Sequence, residues 1–144
     1  MHWSEFQATA GSLLQGTTEG DWRSAISRSY YAVFHYLREF LLAHGVDIGH
    51  GGQSHFNLYS GFLHCGFQSV ARIASRLDDL RLNRVRADYQ LGQVIDRPFA
   101  VMTVQEAQAL CSDFQAALAS VAPAQIVDGA RLHLLAIGRI KPSP

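Results

Sequence analysis

The feature that most constrains this chain is the repeat of its apolar residues, which returns every three or four positions and nowhere alternates in the manner of a strand. At about 100° per residue, Trp22, Ile26, Tyr30, Val33, Leu37, Phe40 and Leu41 fall within one wide arc of a long helix. A second long segment, from about Gln68 to Gln90, places Val70, Ile73, Leu77 and Leu80 on one stripe. Flanking signals divide the rest. A first helix is expected from Ser4 to about Gln15, with a break over Gly16–Gly20. Asp21 is the expected N-cap of the long second helix, which Gly45 ends. Ser54 is expected to cap a short third helix that stops at Gly66. Thr103 and Glu106 read as a capping box opening a fifth helix to about Val121, after a connection from Gly92 to Met102. The expected architecture is all-α, an antiparallel bundle of four to five helices over residues 1–122. Residues 123–144 form a C-terminal extension whose pattern fits a short helix, a strand or a basic tail.

With 144 residues, the chain suits one core, and 48% hydrophobic against 17% charged residues makes it globular. The 12 basic and 12 acidic residues cancel, so net charge selects neither nucleic acid nor membrane. No apolar run approaches the roughly 18 residues of a membrane span. The N-terminal MHWSEFQATAG lacks a basic segment followed by an apolar one, so no signal peptide is expected. Two cysteines, Cys65 and Cys111, are too few for a disulfide framework or a cysteine zinc site. A cytoplasmic protein is the expectation.

Polar residues on the two long helices are ordered. Arg28 and His35, seven apart, lie nearly above one another opposite the apolar arc, and Ser24, Tyr31 and Arg38 share their stripe. Such a stripe is either a solvated face or a site, and aromatics are costly fillers for an idle surface. On the fourth helix the apolar stripe continues into Arg84 and Asp88, where Leu or Ile is expected. Charges near a core need partners. These two can pair with each other at i, i+4, or meet Arg28 or His35 from another helix.

Chemistry is read from the same residues. His44, His50 and His55 flank a glycine-rich loop, but their spacing matches no zinc pattern, and no metal or cofactor is expected. GHGGQS lacks the lysine and preceding strand of a phosphate loop. Histidine with arginine can cleave RNA without metal, one moving the proton of the 2′-hydroxyl and the other stabilising the phosphate. The candidate catalytic residues on this reading are Arg28, His35, His55 and Arg84. Candidate RNA- or partner-binding residues are Tyr31, Arg38, Arg81, Arg86, Asp88 and Tyr89.

In order along the chain, SRSYYAVFHYLREFL, SHFNLYSGFL, LDDLRLNRVRADY and TVQEAQALCSDF resemble the HEPN superfamily, most closely its small stand-alone prokaryotic members, over residues 4 to 121. The resemblance implies an antiparallel helical bundle that dimerises. It implies a place in a toxin–antitoxin, CRISPR or other antiviral defence system, with RNA, a nucleotidyltransferase or another defence protein as partner. Nuclease members carry an arginine, a polar residue, four to six further residues and a histidine. Here the region has Arg81, Arg84 and Arg86 with Asp88 and Tyr89 where a histidine would stand. The resemblance therefore implies a non-catalytic or weakly catalytic module. An active endoribonuclease and a structural or adaptor subunit are the alternatives.

Overall fold

A computed structural model describes residues 1–142, and the last two residues of the expected C-terminal extension lie outside them. Six α-helices make up the described chain: α1 (Trp3–Leu13), α2 (Glu19–Ala43), α3 (Gly52–Leu63), α4 (Gln68–Tyr89), α5 (Arg97–Ala117) and α6 (Pro123–Ala136). The helical bundle expected from the periodicity is present, with α6 as one helix more than five. Pro123 opens α6, where its missing N–H costs nothing.

Three caps differ from expectation. Thr18, not Asp21, precedes α2, and the two residues close a reciprocal box. The Asp21 N–H donates to Thr18 Oγ1 at 3.1 Å, and the Thr18 N–H donates to Asp21 Oδ2 at 3.0 Å. Gly51, not Ser54, precedes α3, while the Ser54 hydroxyl turns back to the Gly51 carbonyl at 2.6 Å. Helix α5 begins six residues before Thr103, because the Asp96 carboxylate takes the Phe99 N–H at 2.9 Å and Pro98 sits harmlessly in the first turn. Thr103 is buried inside α5, its hydroxyl donating to the Phe99 carbonyl four residues back. Gly45 ends α2 as expected, with φ of +82°, a conformation L side chains rarely adopt.

The chain divides into two compact units. The first comprises Met1–Tyr36 and Leu77–Cys111. Its apolar interior joins Ile26, Ala87, Ile95 and Ala100, edged by Leu14, Trp22 and Phe99, and a smaller group of Ala10, Ala25 and Val104. Ile26, Tyr30 and Val33 of the predicted arc are fully buried here. The second unit comprises Leu37–Arg76 and Ser112 onward. Phe40, Phe62 and Phe114 form its aromatic centre, Phe114 meeting the other two edge-on at 5.0 and 5.6 Å. Helix α6 packs on α3. Gly129 permits this approach, since a Cβ there would stand 1.9 Å from the Cys65 carbonyl oxygen.

Within the first unit one buried charge organises the others. Arg23 is 9% exposed, and its guanidinium donates to the carbonyls of Ala87 (2.8 Å), Arg86 (3.3 Å) and Gln90 (3.4 Å), and to Gln93. Those carbonyls lie at and beyond the end of α4, where helical acceptors lose their own donors. Glu19 completes the arrangement: its carboxylate lies 2.7 Å from Arg23 Nη2 and accepts the Ile95 N–H at 3.1 Å. The Arg23 hydrogen bond leads the influences that hold the Glu19 carboxyl below its usual range. Arg23→Ala is expected to cost at least about 2 kcal/mol in chemical denaturation, with several acceptors orphaned at once. Arg23→Lys is expected to recover only part of this, since an ammonium cannot reproduce the fork.

Candidate functional site

From Arg23 the polar side chains of α2 continue at one-turn intervals, and α4 answers in reverse order. Ser27, one turn on, donates to Asp88 Oδ2 at 3.0 Å. Tyr31, a further turn on, accepts from Arg84 Nη2 at 2.8 Å. Ascending numbers on α2 thus meet descending numbers on α4, as antiparallel helices require. Arg84 and Asp88, set on the apolar stripe by sequence, form an i, i+4 ion pair with Nε and Oδ2 3.0 Å apart. Arg84 Nε makes no aligned hydrogen bond, so this contact is chiefly coulombic. The polar cluster between helices therefore exists, with Tyr31 and Ser27 among the partners that α2 supplies.

Arg84 is also held by aromatics. Its guanidinium carbon stands 5.2 Å from the centroid of Tyr31 and 5.4 Å from that of Tyr89, within cation–π range. Tyr89 itself is 68% exposed. On the other side of Tyr31 the helical stripe brings Arg28 and His35 together around Phe6 of α1. Arg28 lies 5.7 Å from the Phe6 ring and 6.0 Å from the Tyr31 ring. His35 stacks on Phe6 at 5.1 Å and 24°, and lies 6.1 Å from Tyr31. Arg28 is exposed, whereas Tyr31 and His35 are half-buried. The result is a surface of cations on aromatic rings, in which α1 covers part of the stripe.

A family model for the HEPN domain matches residues 8–121. The chain belongs to the HEPN family. No curated protein and no solved structure matches it. The HEPN match runs from within α1 to just past α5, so all the residues around Tyr31 except Phe6 fall inside it, and α6 lies beyond.

The other predicted residues occupy other places in this HEPN chain. Arg81 pairs with Asp78 at 2.8 Å along α4. Arg86 lies over Phe99 at 4.9 Å, with its Nε buried and unpartnered. In the second unit, Arg38 approaches the Gly49 carbonyl at 3.5 Å and His50 Nδ1 at 3.4 Å. His55 lies half-buried on α3 in that same unit. Among the described residues, no group of three or more His, Cys, Asp or Glu is placed to hold a metal ion, and no helix is long and apolar enough to cross a membrane. Burial pushes the Cys111 thiol up to about 12 and raises that of Cys65, so neither is an activated nucleophile at neutral pH.

Two sets of residues were not signalled by the sequence. Arg23 is one. The other lies in the second unit, where the His64 and His133 rings stand 4.3 Å apart and Ser60 Oγ is 2.7 Å from His133 Nε2. Desolvation, with His64 as a second cause, lowers the His133 pKa from 6.5. The unfolded chain then binds its proton more readily than the fold does. The contribution of His133 is complete above the unfolded value and is lost as pH falls through 6.5 toward the folded one. Thermal melts across that window are expected to fall with acid, and His133→Gln is expected to flatten the decline.

Proposed function

We propose that this chain is a non-catalytic HEPN module of a prokaryotic defence or toxin–antitoxin system, acting as a homodimer that binds RNA. The observation that carries this reading is the state of Arg84. Its charge is matched by Asp88 at 3.0 Å and its Nη2 is spent on Tyr31. An arginine so compensated is a poor stabiliser of a developing phosphate charge, and no histidine follows it on α4. Arg28 differs, because an exposed guanidinium beside two aromatic rings suits a phosphate backbone and its bases. A nucleotidyltransferase or a CRISPR-associated protein is the partner implied by the family.

One observation favours a second reading, a metal-independent endoribonuclease. Arg28 and His35 share the Phe6 and Tyr31 rings, so an arginine and a histidine stand on one patch. Purified protein and mixed single-stranded RNA, in the presence of a chelator, separate the two. The first reading expects binding by fluorescence anisotropy that weakens several-fold in Arg28→Ala and falls with salt, with RNA lengths unchanged. Cleavage that disappears in both Arg28→Ala and His35→Ala establishes the second instead. Light scattering on the same samples is expected to give twice the 15.9 kDa chain mass.

A further inference from the structure

Rings and guanidiniums of the first unit form one continuous row. From Phe6 of α1 it passes to Arg28 at 5.7 Å, to Tyr31 at 6.0 Å, to Arg84 at 5.2 Å and to Tyr89 at 5.4 Å. Ring and cation thus alternate across α1, α2 and α4, each step within cation–π range, and all five residues belong to the same unit. The rings differ in what they have left to offer. Phe6 and Tyr31 are half-buried, and each already has at least two neighbours: Arg28 and His35 against Phe6, Arg28 and Arg84 against Tyr31. Tyr89 ends the row. It is 68% exposed, with Arg84 toward it from one side, and so offers more free ring surface than either of the others.

The exposed ring stands on a fixed base. Tyr89 is the last residue of α4, and the Arg23 guanidinium caps the carbonyls of Arg86 at 3.3 Å and Ala87 at 2.8 Å just before it. The Arg84 guanidinium beside the ring is held by Asp88 at 3.0 Å and by the Tyr31 hydroxyl at 2.8 Å. An aromatic side chain on a backbone set in this way has little freedom left to lose when a flat partner stacks on it, which lowers the cost of binding. The cation also draws on the π density of the ring, which suits an electron-rich partner on the side left open.

From these observations we infer that Tyr89 is a base-binding residue, on which an unpaired purine of single-stranded RNA stacks while the phosphates of the strand run toward Arg28. This rests on the RNA-binding reading above and adds to it the class of RNA. The strand must have free base faces, because in a duplex neighbouring pairs cover them. Purines are preferred to pyrimidines through their larger, more electron-rich rings. Arg84, matched by Asp88, takes no phosphate in this arrangement.

The test measures binding of the full-length chain, by fluorescence anisotropy, to labelled oligoadenylate, oligouridylate and an oligomer of the same length whose central riboses are abasic. Oligoadenylate is expected to bind tightest and the abasic strand weakest. Tyr89→Ala is expected to weaken oligoadenylate binding at least about fivefold, the loss of one base–aromatic stack. Tyr89→Phe, which keeps the ring, is expected to bind as the unsubstituted chain does. The abasic strand is expected to be indifferent to Tyr89→Ala, and the salt dependence to stay unchanged, since no phosphate contact is lost. Unaltered oligoadenylate affinity in Tyr89→Ala, with Arg28→Ala still weakening it, overturns the role of Tyr89 and leaves RNA binding standing. An equal loss for intact and abasic strands overturns stacking. No binding of any strand by the unsubstituted chain overturns the RNA reading and this one with it. Tyr89 is exposed, so neither substitution disturbs the core.

Discussion

Burying the Arg23 guanidinium is the constraint on which the first unit depends. A cation at 9% exposure is tolerable only when its donors are all used, and Arg23 divides them between the Glu19 carboxylate and the carbonyls at and beyond the end of α4. This fixes the last turn of α4 against the first turns of α2. It also fixes the segment that leads to α5, since Glu19 holds the Ile95 N–H and Ile95 enters the apolar interior. Once that end is set, the register of the two helices has little freedom left. Ser27 then faces Asp88 and Tyr31 faces Arg84, each one helical turn further along.

The polar seam contributes register more than stability. Arg84 and Asp88 retain 17% and 29% side-chain exposure, so their attraction is partly screened and their desolvation incomplete. An apolar pair could hold α2 against α4 equally well, but a slip by one turn would cost an apolar seam far less. Here the same slip would leave the Arg23 guanidinium and the carbonyls it caps without partners, which is the larger penalty. The second unit has a different solution. Its α3 and α6 approach through Gly129, and its centre is aromatic, so shape rather than polar pairing sets that contact.

Much of this was legible in the sequence, for a physical reason. Burial on one face of a helix imposes a period of 3.6, and the stripes from Ile26 to Leu41 and from Val70 to Leu80 are the ones the structure buries. Arg84 and Asp88 stood out because they break such a stripe. Their partners did not, because helical angles order residues around one axis and do not say which neighbour faces them. Arg23 was silent for a related reason. It acts on backbone carbonyls, which every residue carries, so its targets have no sequence signature. The caps failed where two residues of the right type lie close together: Thr18 and Asp21 both suit an N-cap, and only the backbone decides. The residues after Pro123 show the weakest periodicity and yielded a helix only in three dimensions.

Whether the Tyr31 surface binds or cuts turns on what each cation has left to offer. Phe6 stacks on one face of the His35 ring. Catalysis, however, needs charge supplied at the moment it develops, from groups not already neutralised. Arg84 shares its charge with Asp88, and moving it toward a phosphate would strand both that carboxylate and the Tyr31 hydroxyl. Arg28 bears no such cost, lying exposed beside rings that can also stack on bases. Of the two arginines, the one built into the fold is poorly placed to assist a reaction, and the one at the surface is suited to hold a strand. That asymmetry is the physical ground on which the proposed function is binding rather than cleavage.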